Sequence, residues 1–128
     1  MSNSRAFPSR SQSVSAARLF VREMLRDQPR ETVDAVELMT SELATNAVKH
    51  AHSAFELTIH TQGQIRVEVH DASQGKPTLM HPEPAQASGR GLMIVEAMSD
   101  AWGVIPSPGG KTVWFALEHG GAHSAPRR

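Results

Sequence analysis

No cysteine occurs among the 128 residues, so the chain has no disulfide framework, no thiolate metal ligand and no cysteine nucleophile. That absence suits a reducing compartment. Long apolar runs are missing too: none approaches the ~20 residues of a membrane-spanning helix, and the opening stretch "MSNSRAFPSRSQS" lacks the apolar core of a secretory signal. Net charge is also lacking, because 13 Lys and Arg balance 13 Asp and Glu. With no basic stripe interleaved with aromatics, the electrostatic footprint of a nucleic-acid binder is excluded. The expectation is a soluble, cytoplasmic chain with no membrane partner and no direct nucleic-acid partner. Internal repeats and coiled-coil heptads are absent as well, and the length suits one domain that buries a core without staples.

What is present changes period along the chain. Residues 1–12 are polar, Ser-rich and punctuated by Pro8, which predicts a flexible N-terminal arm or an edge segment. Val14, Ala17, Phe20, Val21, Met24 and Leu25 then recur at helical spacing, with Ser13 as the expected cap. Pro29 marks a break and Thr32 is the next expected cap. Val33, Val36, Met39, Thr40, Leu43 and Ala47 trace a second apolar stripe running to about His50.

"AFELTIH" (54–60) and "QIRVEVHD" (64–71) alternate instead, and with Thr61, Gln62 and Gly63 between them they predict a hairpin. Residues 72–88 are rich in Gly, Pro, Ser and Ala, a length of loop that predicts a lid. "GRGLMIVEAMSD" predicts a third helix, and "AWGVI" (101–105) and "TVWFALE" (112–118) a second hairpin turned by "PSPGGK". A folded unit of residues 13–118 follows, with an unpacked, disordered tail from 119 to 128. Helices followed by hairpins predict an α+β, two-layer sandwich with helices on one face of a mostly antiparallel sheet.

Three short stretches carry candidate chemistry. At about 100° per residue, Glu42, Asn46 and Lys49 share one flank of the second helix, beside its buried stripe; taken alone they read as a solvated row. Asp71 ends a strand with Gly75 four residues on, which alone reads as turn chemistry. Gly89 and Gly91 stand where a loop enters a helix, either as a hinge or as an anion site of free N–H groups.

Other patterns fail. "GGKT" lacks the P-loop's first glycine, since position 105 is Ile, and a strand follows it. His50 and His52 are not in HExxH spacing and no carboxylate cluster joins them, so zinc is not expected. No GxSxG elbow is present. Met39, Met80, Met93 and Met98 read as core or lid packing, and the two Trp as strand-face fillers.

In combination and order, E-x-x-x-N on a helix ("ELATN"), D-x-x-x-G after a strand ("DASQG") and G-x-G-L opening a helix ("GRGL") resemble the GHKL ATPase superfamily. The resemblance covers roughly residues 14–118. "ARLFVREML", "SELATNAVKHA" and "GRGLMIVEAMSDAWGV" are similar to the single-domain anti-sigma-factor serine/threonine kinases of bacteria, actinomycete type, relatives of histidine-kinase ATP domains.

The resemblance implies a Bergerat-type fold, with helices on one face of a mixed, mostly antiparallel sheet, and a cofactor pair of ATP and Mg²⁺. By the same resemblance Asn46 is the metal ligand and Lys49 balances phosphate charge. Asp71 accepts a hydrogen bond from the adenine amino group, with Gly75 beside the base and Thr112 in support. Gly89, Gly91 and Leu92 offer N–H groups to the phosphates with Arg90 nearby, and Glu42 is the general base. Ser73 stands where the family has the first glycine of its D-x-G-x-G box, and Ala87 where several members carry an arginine.

The implied function is an ATP-binding anti-sigma factor and protein serine/threonine kinase. It would sequester a sigma factor and phosphorylate a STAS-domain anti-anti-sigma protein. A second reading is a nucleotide-gated regulatory module with little catalysis, which those two departures favour. A detached histidine-kinase ATP domain ranks behind both, since no helix hairpin with a phospho-acceptor His is visible. Homodimerisation is left open.

Overall fold

A computed structural model describes residues 2–51, 53–72 and 87–118, with residues 50, 51 and 87–91 described by their main chain. These residues form β1 (Ser2–Phe7), α1 (Gln12–Met24), α2 (Arg30–Asn46) continued by one π turn (Ala47–Ala51), β2 (Phe55–His60), β3 (Gln64–Asp71), α3 (Ala87–Met98), β4 (Ala101–Ser107) and β5 (Gly110–Glu118). The five strands make one sheet in the order β1-β2-β3-β5-β4. Each described pair is antiparallel, so the mixed character expected of the sheet is not found among the described residues. The fold is α+β in two layers, with α2 in contact with both α1 and α3. No helix of the described residues is long and apolar enough to cross a membrane.

Alternation decides which face of the sheet is covered. Leu57 and Ile59 in β2, Ile65, Val67 and Val69 in β3, and Val113, Phe115 and Leu117 in β5 are all buried. They meet Val36, Met39 and Leu43 of α2 and Ala17, Phe20 and Val21 of α1 in one core. Each such side chain, fully buried, stabilises by about 1.5–3 kcal/mol. The intervening positions face solvent on the open side of the sheet, where Trp114 lies under the Arg66 guanidinium at 4.0 Å and fills the space above Gly103. Met39 is fully buried, whereas Met93 is exposed rather than packed.

Of the two expectations for the N-terminal stretch, a flexible arm or an edge segment, the second is found for residues 2–7, which form an edge strand in six-residue antiparallel register with β2. Its one buried side chain, Phe7, stacks on Phe55 at 5.4 Å and meets Phe20 edge-on at 6.4 Å, which ties the strand to the core. Ser13 is not a cap: α1 starts before it and its hydroxyl donates to the Pro8 carbonyl at 2.7 Å. Thr32 is not a cap either, because α2 begins at Arg30 after Pro29, and Thr32 is buried within the helix. The expected lid and the tail at 119–128 lie outside the described residues, apart from Ala72 and the first residues of α3.

One buried charge joins the two long helices. The Glu37 carboxylate of α2 accepts two hydrogen bonds from the Arg22 guanidinium of α1, at 2.7 and 3.1 Å. That bond holds the Glu37 carboxyl below its ordinary value of 4.5, against the opposing pull of burial. A depressed carboxyl contributes stability above its unfolded value and loses it as pH falls through the folded one. Wild type is therefore expected to exceed Glu37→Gln in stability at about pH 7, with the gap closing at about pH 3. Urea denaturation at the two pH values measures this.

Candidate functional site

Asp71 is the last residue of β3 and shares the inward parity of Val67 and Val69, so it sits at the end of the core layer. Only 3% of it is exposed. Across the strand pair, its register partner is Lys111, itself buried, whose ammonium donates to Oδ2 at 2.9 Å and to Oδ1 at 3.2 Å. Gly110 permits this arrangement: a Cβ there would collide with the Asp71 carbonyl oxygen. The β5 main chain can lie against Asp71 because position 110 has no side chain.

Thr112, expected to support the base beside Asp71, points the other way. It is the register partner of His70, and its hydroxyl shares a 2.9 Å hydrogen bond with His70 Nδ1 on the open face. Strand parity forces the exchange, since one step along β5 moves a side chain to the opposite face. The residue beside Asp71 is Lys111, which sequence reasoning missed. The turn was read as the six residues "PSPGGK", whereas the strands continue through Ser107 and Gly110 and leave Pro108 and Gly109 as the turn, with Gly109 at φ 83°. Counting inward parity back from Val113 would have found Lys111.

Glu42 and Asn46 lie one turn apart on α2. Glu42 is half-buried, and no described residue pairs with its carboxylate. Asn46 is buried, and its Nδ2 has no hydrogen-bond partner among the described residues. A buried amide nitrogen left so is costly, and side-chain amides report oxygen and nitrogen interchangeably, so the Asn46 side chain fits a role in holding a group that the described residues do not supply. Immediately after Asn46 the helix widens into the π turn, a feature often found at functional sites. The uniform 100° spacing that aligned Lys49 with Glu42 and Asn46 ends there, and Lys49 is exposed.

Gly89, Arg90 and Gly91 are the third, fourth and fifth residues of α3. An α-helix leaves its first four N–H groups free, so Gly89 falls among the free donors while the helix's own ladder takes the N–H groups of Gly91 and Leu92. Leu92 is half-buried and packs on the core. Ser73 and Gly75 lie outside the described residues. The helix α2 adjoins both β3 and α3, and its π turn also reaches β3. Asp71 on β3 and Gly89 on α3 thus stand on two elements that each adjoin the helix of Glu42 and Asn46.

Two clefts among the described residues lie away from these side chains. One of about 430 Å³ between α1 and α2 is lined by Arg22, Arg26, Arg30, Asp34 and Glu37 among others, and one of about 470 Å³ runs along α1 past Arg5, Leu19 and Phe20. Neither includes Glu42, Asn46 or Asp71. Of the arginines that line the first cleft, Arg22 is committed to Glu37.

No curated protein matches the chain. Among solved structures, the RsbU and RsbW domains of Rv1364c from Mycobacterium tuberculosis align with TM-score 0.73 and 17% identity, over 93% of this chain and 32% of that one. The present chain therefore spans about a third of that relative. The histidine kinase domain of the blue-light activated histidine kinase EL346 from Erythrobacter litoralis aligns with TM-score 0.61 and 21% identity, covering 95% of this chain and 67% of that one. The histidine kinase AdeS from Acinetobacter baumannii gives TM-score 0.56 and 12% identity, covering 91% and 68% respectively. At these identities the likeness is one of fold. The model of the histidine kinase-like ATPase domain matches residues 7–117, nearly the whole of the described chain from β1 to β5, and the chain belongs to that family.

Proposed function

We propose that this protein binds ATP with Mg²⁺ and acts as an anti-sigma factor with serine/threonine kinase activity, holding a sigma factor and phosphorylating a STAS-type anti-anti-sigma protein. The observation that supports it best is the buried side chain of Asn46, whose Nδ2 meets no partner among the described residues, one turn beyond Glu42, on a helix adjoining the strand that ends in Asp71, in a chain of the histidine kinase-like ATPase family.

Each residue takes a role that its chemistry allows. Asn46 holds Mg²⁺ through its amide oxygen, one of the few protein ligands such an ion takes. When bound, Mg²⁺ neutralises charge on the phosphate oxygens. Asp71 accepts a hydrogen bond from the purine's exocyclic amino group. Gly89 turns a free helix N–H toward phosphate, and Arg90 and Lys49 supply positive charge. Glu42 draws the proton from a serine or threonine hydroxyl as that oxygen attacks the γ-phosphate. Cytoplasmic residence belongs to the same proposal.

Ala87, where several family members carry an arginine, favours one alternative: a nucleotide-gated module that sequesters its partner with little phosphoryl transfer. Incubating the protein with radiolabelled Mg-ATP and STAS proteins from the same genome separates the two. We expect slow labelling of one serine or threonine, reduced at least ~10-fold in Arg90→Ala. Retention of a sigma factor without any labelled STAS protein would establish the module and end the kinase reading.

A further inference from the structure

No described strand lies beyond β1 in the sheet, and every residue of β1 except Phe7 is exposed. An edge strand presents a row of main-chain N–H and C=O groups to whatever comes beside it. The opposite edge, β4, is interrupted by Pro106, which has no N–H to offer. Between Ser2 and Phe7, β1 has no proline.

Alternation sets which side chains an added strand would meet. Asn3 and Arg5 share the parity of the buried Phe7, so they stand on the side of the helical layer. The cleft of about 470 Å³ opens on that side, lined by Arg5 of β1, by Leu19, Phe20, Arg22 and Glu23 among the residues of α1, and by Arg26 just beyond it. Its described lining includes no residue of β2, which puts the cleft at the edge of the sheet. Leu19 is 56% exposed there, and the Arg5 guanidinium lies 4.8 Å over the Phe20 ring. Arg22 is committed to Glu37, whereas Arg5 and Arg26 meet no carboxylate among the described residues. With Glu23 as its only acid, the cleft is positive around an apolar patch.

We propose that the β1 edge and this cleft together dock an extended, acidic segment of a partner protein, added as a further strand beside β1. Main-chain hydrogen bonds to β1 supply affinity, and alternate side chains supply specificity: acids beside Arg5 and Arg26, an apolar side chain on Leu19. A second copy of this chain is the poorer occupant, because its β1 would bring Asn3 and Arg5 on one face and Ser2, Ser4 and Ala6 on the other, none of them an acid or a large apolar group. The site shares no residue with Glu42, Asn46 and Asp71, and it stands whether or not nucleotide binds.

A short fluorescein-labelled peptide that alternates threonine with aspartate and leucine in turn is the probe, and its control carries lysine for each aspartate. Fluorescence anisotropy is expected to show the acidic peptide binding the full chain at least ~10-fold more tightly than the lysine peptide, by an amount that shrinks as salt rises. Arg5→Glu, at an exposed position, is expected to weaken the acidic peptide at least ~10-fold and to reverse the preference. Leu19→Ala, also exposed, is expected to weaken both peptides by about tenfold. Hydrogen exchange at alternate β1 main-chain N–H groups is expected to slow when the acidic peptide is bound. No binding of the acidic peptide, equal affinity for the two peptides, or exchange that slows along β4 instead of β1 overturns the inference. Protection of β1 without peptide, in a protein that sediments as a dimer, overturns it too and assigns the edge to a second copy.

Discussion

Asp71→Ala is expected to abolish nucleotide binding, by at least ~100-fold, and to lower stability by about 3–5 kcal/mol. The first effect follows from the loss of the acceptor that the base requires. The second follows from what remains: Lys111 is buried, and removing Asp71 takes away the carboxylate that accepts from its ammonium at 2.9 and 3.2 Å. An ion pair replaced as a unit behaves differently, since apolar side chains of similar volume often match or exceed its stability. The double variant Asp71→Leu with Lys111→Met is therefore expected to recover most of the lost stability and still bind no nucleotide. Urea denaturation and ATP titration of the two variants separate a folding defect from a binding defect. A double variant that still binds ATP would show that the base is read elsewhere.

The second large effect is expected at Glu42. Glu42→Ala should slow phosphoryl transfer to a STAS protein by about 10²–10⁴, the usual contribution of a general base, with ATP affinity changed less than ~threefold. The residue is half-buried on α2 without a described partner, so the substitution disrupts no observed ion pair. Single-turnover transfer at saturating ATP measures the chemical step. Equal loss of binding and transfer would instead give Glu42 a role in holding nucleotide.

How much of this was legible in the sequence depended on how regular the local pattern was. The β2–β3 hairpin was read to within one residue, because Leu57, Ile59, Ile65, Val67 and Val69 alternate strictly between a buried face and an open one. The strand β1 was read only as an arm or an edge segment, since "SNSRAF" buries only Phe7 and an edge strand is held by main-chain bonds that leave little trace in side-chain type. Helix starts shifted by two or three residues because Ser13 and Thr32, good capping types, serve other positions. On the candidate site, Glu42, Asn46 and Asp71 were proposed by motif, and the structure adds that Asn46 and Asp71 are buried. Thr112 was misplaced by parity, and Lys111 was hidden by an overlong turn. The π turn after Asn46 has no signature in the stripe that precedes it.

The most direct test of the nucleotide site is the NMR response of the Asn46 side-chain amide to Mn²⁺-ATP, a paramagnetic stand-in for the Mg²⁺ complex. If Asn46 holds the metal, its NH₂ resonances broaden first and at substoichiometric Mn²⁺-ATP, while the Arg22 and Arg26 side-chain signals of the α1–α2 cleft stay sharp. Broadening centred on those arginines, with the Asn46 amide unaffected, would place the nucleotide in the wrong cleft and contradict the account.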